Sequence, residues 1–84
     1  PSHGPVIPLP QEKLEHYINH RSKRHQRVLA ATSRHNSTAD IAKDAYSDSA
    51  DAHPILAEDQ TLAHLLALER EEKVVRTEHG WVIA

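Results

Sequence analysis

The sequence predicts a mainly α domain in which three helices are followed by a β-hairpin. Three observations lead there. Apolar residues recur at spacings of three and four through 11–32, 38–46 and 55–72, the period of a helix with one buried face. Polar or proline-bearing breaks separate these stretches. After Lys73 the pattern turns to short runs of β type, Val74-Val75 and Trp81-Val82-Ile83. The 84 residues allow one small core, which buries only about 60% of the surface its unfolded chain exposes. Phe, Met and Cys are absent, and Tyr17, Tyr46 and Trp81 are the aromatic residues, so Leu, Ile, Val and Ala must supply the packing. Without cysteine there is no disulfide framework, thiolate zinc knuckle or thiol nucleophile, which fits a cytoplasmic setting. No apolar run approaches the roughly 18 residues of a membrane span, so no membrane partner is expected.

Residues 1–10 hold four of the five prolines and read as an extended lead-in whose Val6, Ile7 and Leu9 need another body to lie on. From Gln11, the residues Leu14, Ile18, Arg21, His25, Val28 and Leu29 mark a first helix. Glu12 and Glu15 open it and Lys23, Arg24 and Arg27 follow, which suits the helix dipole. The polar stretch 33–37 ends it. Ser37 and Asp40 resemble a capping box for a short second helix, whose buried face is Ile41, Ala42, Ala45 and Tyr46. The run 47–51 reads as a loop and Pro54 as the entry to a third helix, whose stripe is Leu62, Leu65, Leu66 and Leu68. Gly80 can take the positive φ that a tight hairpin requires. This order of elements is that of a winged helix-turn-helix domain, with residues 74–83 as the wing.

Charge is distributed unevenly. Residues 1–35 carry six Lys or Arg against two Glu, and residues 36–84 carry four against ten acidic residues. The basic half reads as a long solvated helix whose charges face water.

An ordered set of short motifs narrows the reading. Pro1-Ser2-His3-Gly4-Pro5-Val6-Ile7, His16-Tyr17-Ile18-Asn19-His20-Arg21, His53-Pro54, Leu62-Ala63-His64-Leu65 and Leu68-Glu69-Arg70-Glu71-Glu72-Lys73-Val74 together resemble the C-terminal end of metallo-β-lactamase-fold hydrolases of the β-lactamase-like, glyoxalase II-related type, which carry an appended winged helix. The resemblance implies that residues 1–10 end a catalytic domain or its linker, that 11–84 form the winged-helix domain, and that the chain, which has no Met and opens at Pro1, is part of something longer. It implies that His3 is a metal ligand in the parent enzyme, where two zinc ions activate water for hydrolysis of an ester, thioester or phosphodiester. The other ligands of that family lie upstream, so this chain is expected to be inert and to hold no cofactor by itself. His16, Tyr17, His20 and Arg21 are implied to face the chain's own catalytic domain. Ser2 and Glu72 stand where the family usually has Gly; a left-handed Glu72 would cost roughly 1 kcal/mol relative to Gly.

The commonest rival for a winged helix is DNA binding. A recognition helix should present Arg, Lys, Asn or Gln near its N-terminus, whereas the third helix offers Glu58 and Asp59, with Gln60 as its one plausible reader. Two carboxylates oppose phosphate contact, so DNA is not the expected partner. RNA remains a substrate class for the parent. A non-catalytic protein-interaction domain is the other alternative. His16 and His20 share metal-ligand spacing but lack the Glu of a zincin motif, His64 reads as a satisfied, partly buried histidine, and Trp81 as a wing residue packed on the core.

Overall fold

A computed structural model describes residues 11–49 and 51–84. Three helices, α1 (Gln11–Thr32), α2 (Thr38–Ala45) and α3 (Pro54–Arg70), precede an antiparallel hairpin of β1 (Val74–Thr77) and β2 (Gly80–Ile83). The winged helix-turn-helix expectation therefore holds, and α1 has the predicted bounds. What is expected of residues 1–10 lies outside the described residues.

Each terminus has an identifiable cause. At the end of α1, the Thr32 hydroxyl donates to Val28 O at 2.8 Å, and the amides of Ser33, Arg34 and His35 turn back onto Ala30 and Ala31 carbonyls. Ser37 caps α2 by accepting from the Asp40 amide at 3.1 Å. Among the described residues the reciprocal bond of a capping box is not formed, so only the serine half of that expectation stands. Tyr46, expected inside α2, is its C-cap.

The third helix starts and stops differently from its prediction over 55–72. Pro54 occupies its first turn, where a missing N–H costs nothing, and His53 caps it, Nδ1 accepting from the Ile55 amide at 3.2 Å. It ends at Arg70 because Glu72 is left-handed, with φ 62°. The Lys73 amide bonds Leu68 O at 2.9 Å and the Glu72 amide bonds Glu69 O at 3.0 Å. These are the two bonds of a Schellman motif, formed here around a glutamate rather than a glycine.

Hairpin register pairs Val74 with Ile83 and Arg76 with Trp81. Gly80 has φ 108°, and a Cβ there would collide with the Asn36 carbonyl oxygen and come within 2.9 Å of Asn36 Cβ. The close approach has a use: the Trp81 amide donates to Asn36 O at 2.8 Å, tying the α1–α2 connection to the hairpin edge.

Val28 and Ala31 of α1, Ile41 and Ala45 of α2, Leu65 and Leu68 of α3, and Val74 and Trp81 of the hairpin form the core. Trp81 is buried as predicted; its Nε1 donates to Thr38 Oγ1 at 3.2 Å, and the Arg76 guanidinium lies 4.6 Å from its ring centroid. The α3 stripe is rotated from the expected one. Leu65 and Leu68 are fully buried, but Leu62 is 39% exposed and Ala57 and Thr61 complete the inner face.

The expectation that the basic charges of α1 face water fails at Arg24. It is buried, its guanidinium 4.1 Å from the centroid of the Tyr46 ring, donating to Ala45 O and to Asp48 Oδ1 at 2.8 Å. Arg27 Nε donates to the same Ala45 carbonyl at 3.0 Å. Two guanidinium groups from α1 thus satisfy the carbonyl end of α2, where the helix dipole favours cations.

Candidate functional site

Residues 11–23 of α1 are all exposed, whereas Arg24, Val28, Ala31 and Thr32 are buried. At 1.5 Å per residue the exposed part is about 20 Å long. Its sequence contains no helix breaker, and Gln11 Nε2 donates to Glu15 Oε1 at 2.9 Å across one turn. The overhang is not polar all round. Leu14 (40% exposed), Tyr17 (58%) and Ile18 (54%) lie at i, i+3 and i+4, on a stripe that runs through Arg21 and His25 to Val28. The same periodicity therefore serves the core at one end and solvent at the other. Ile55 and Leu56, in the first turn of α3, are exposed as well.

The four predicted interface residues all sit on this overhang. His16 and His20 stack with ring centroids 6.2 Å apart. Tyr17, His20 and Arg21 wall a cavity of about 330 Å³ between α1 and α3, closed by Tyr46, His53, Leu56 and His64. His3 lies outside the described residues. Among the described residues no three His, Asp or Glu side chains converge closely enough to hold a metal ion, so these residues do not fit a zinc site and no zinc chemistry is assigned to them.

Beside the cavity lies a polar chain that sequence reading missed. Glu71 Oε2 is 3.1 Å from His25 Nε2, and His25 Nδ1 is 2.8 Å from His64 Nδ1. His64 is only 7% exposed. Burial, reinforced by His25, Arg21 and Arg24, lowers its pKa to about 4, so it is neutral at pH 7. For Glu71, partial desolvation would raise the pKa, but bonds from His25 and Lys73 outweigh it and hold the carboxylate below its usual range. His64 is buried and hydrogen-bonded as expected; its partner His25 is 39 positions away, and His25 in turn is 46 positions from Glu71, so neither bond had a local signal. Arg24 did have one, since 24, 28 and 31 share one helical face.

Other ionic groups are local. The Arg34 guanidinium lies 2.7 Å from Asp44 and His35 lies 3.2 Å from it, and the bond from Arg34 lowers the Asp44 pKa. Arg24 likewise lowers that of Asp48, while burial raises that of Tyr46.

Glu58 and Asp59 are exposed near the N-terminus of α3, and Gln60 Oε1 accepts from the Tyr46 hydroxyl at 3.2 Å. Among the described residues, no helix is long and apolar enough to cross a membrane.

Residues 37–81 match the family described as the beta-lactamase associated winged helix domain. The chain is also similar to the Beta-lactamase-like protein 2 homolog of Caenorhabditis elegans, 37% identical over 51 residues, a stretch covering 58% of this chain and 17% of that protein. No solved structure matches.

Proposed function

Because the chain belongs to the beta-lactamase associated winged helix domain family, we propose that it is the C-terminal domain of a cytoplasmic metallo-β-lactamase-fold hydrolase and packs on that enzyme's catalytic domain. The observation that carries this reading is the overhang of α1. An amphipathic stretch of thirteen residues with its apolar stripe in water gains little stability as an isolated helix, and a second body laid against Leu14, Tyr17 and Ile18 would extend the core along it. His16, His20 and Arg21 would supply the polar rim of that contact.

The domain's own work is structural. It walls one side of the active-site cleft and contributes no catalytic residue. The two zinc ions and the hydrolysis of ester, thioester or phosphodiester bonds, RNA included, belong to the adjoining domain, with His3 as the ligand delivered from the junction. The curated relative is several times longer than the matched stretch, which leaves room for such a domain.

The test is to read the gene upstream of the Pro1 codon and to place Ile18→Asp in the intact protein. An in-frame His-x-His-x-Asp-His motif is expected, together with a loss of hydrolytic kcat/KM in the variant. The same substitution in the 84-residue chain should leave the melting temperature within about 4 °C of the parent value, because exposed substitutions change stability by about 0.5 kcal/mol or less. An upstream frame without the motif overturns the reading.

A further inference from the structure

The cavity between α1 and α3 holds a second feature, which shares Tyr17, His20 and Arg21 with the proposed docking face and is tested on this chain by itself. His64 lines it, is more than nine-tenths buried, and has Nδ1 engaged by His25. Its Nε2 is the ring nitrogen left open to a ligand, with no hydrogen-bond partner among the described residues. Arg21 lines the same cavity, and among the described residues its guanidinium has neither a hydrogen bond nor an ion pair.

The protons along Glu71–His25–His64 follow from donor and acceptor rules. An ionised carboxylate only accepts, so His25 Nε2 carries a proton toward Glu71. One proton lies between the two Nδ1 atoms, which are 2.8 Å apart. When His25 is neutral its Nδ1 is bare, so the shared proton belongs to His64 Nδ1 and the neutral His64 ring leaves Nε2 bare as well. When His25 takes up a proton, its Nδ1–H becomes the donor, His64 Nδ1 becomes the acceptor, and the proton of His64 moves to Nε2. His64 stays uncharged throughout, yet its cavity nitrogen changes from acceptor to donor.

We propose that this cavity is a proton-gated site for a tetrahedral oxyanion of the phosphate or sulfate class, held by Arg21 and by the Nε2–H that His64 presents when His25 is protonated. The surrounding charges favour a gate of this kind. From α1, Arg24 is already paired with Asp48, beyond the end of α2, and His20 stands at the cavity wall. Tyr46, the C-cap of α2, and His53, the N-cap of α3, complete the wall, and the Tyr46 pKa is raised by burial. Glu71, with Lys73 at 3.4 Å, faces the outer nitrogen of His25. A proton on His25 is thus balanced by Glu71, and the gate acts through hydrogen-bond polarity more than through net charge. Arg21 provides the fixed cation that an oxyanion requires.

The probe is inorganic sulfate, whose charge is constant over the imidazole range, titrated into the 84-residue chain at fixed ionic strength. NMR at about pH 5.5 and about pH 8 reads both affinity and tautomer. Affinity is expected to be about tenfold higher at the lower pH, a change worth about 1.4 kcal/mol. The imidazole nitrogen spectrum should show His64 as the Nδ1–H tautomer at the higher pH and the Nε2–H tautomer at the lower. Arg21→Gln should abolish binding, His25→Gln should remove its pH dependence, and Lys43→Gln, an equal charge change elsewhere, should alter nothing. Equal affinity at the two pH values, an unchanging His64 tautomer, or equal losses in Arg21→Gln and Lys43→Gln would each overturn the proposal.

Discussion

The two halves of α1 share one period, one strand of chain and similar helix-forming residues, but they do opposite work. In 24–32 the stripe is locked: Val28 and Ala31 are fully buried against α2, α3 and the hairpin, and Arg24 satisfies the end of α2. In 11–23 the same stripe, Leu14, Tyr17 and Ile18, stays exposed among the described residues, with Tyr17 and Ile18 bordering open clefts toward α3. Amphipathicity therefore states that a face is made for burial without stating against what. Where the partner is another element of the same chain, the stripe becomes core; where it is not, the stripe stays exposed, which is why docking is the role proposed for it.

The largest expected effect contrasts those two regimes directly. Leu65→Ala, at a fully buried position, should cost about 2–5 kcal/mol through lost transfer energy and a residual cavity. Leu14→Ala should change stability by about 0.5 kcal/mol or less. Urea unfolding of both variants measures the difference, and comparable losses would dissolve the distinction between the halves.

A smaller effect lies at the seam between them. His64 is held neutral, its pKa lowered from 6.5 to about 4, so below pH 6.5 the unfolded chain binds more protons than the folded one. Stability contributed by this group is complete above about pH 6.5 and is lost as pH falls toward about 4. Allowing for solvent screening through the open cavity, the loss should be on the order of 1–2 kcal/mol. Thermal melts from pH 7 to pH 4 should show it, and His64→Gln should remove that portion of the slope; an unchanged slope would detach the seam from His64.

The smallest effect sharpens the locked half alone. Glu72 takes a left-handed conformation at the C-terminal turn of α3, so Glu72→Gly should stabilise the chain by about 1 kcal/mol. Amide exchange should then slow in α3 and in 24–32 of α1, with no change in 11–23. Slower exchange in the overhang as well would mean that the two halves unfold as one unit.

Much of this was legible from local pattern. Three helical stretches, a polar break at 33–37, a serine cap and a glycine before Trp81 all act within a few residues, so their signals survive in the linear chain. The left-handed glutamate was legible only as a conditional cost, since local chemistry disfavours it and the Schellman bonds together with the turn into β1 hold it there. Leu62 was misread as core because Leu62, Leu65, Leu66 and Leu68 form a plausible stripe by themselves. The rotation of α3 was set by small residues, Ala57 and Thr61, whose value is in letting α2 approach. The polar chain of Glu71, His25 and His64 left no trace in spacing because its members come from distant turns.

The sequence by itself determined the order of three helices, the bounds of α1, the presence of a wing, and two carboxylates near the start of α3. Capping, periodicity and charge are short-range properties, and each is written within one or two turns. The tertiary structure alone decided that Arg24 belongs inside, that His25 and His64 meet through their Nδ1 atoms, and that among the described residues 11–23 of α1 stay exposed. Those outcomes depend on which helical faces meet, and that is settled by the summed packing of all the elements rather than by the preferences of any one.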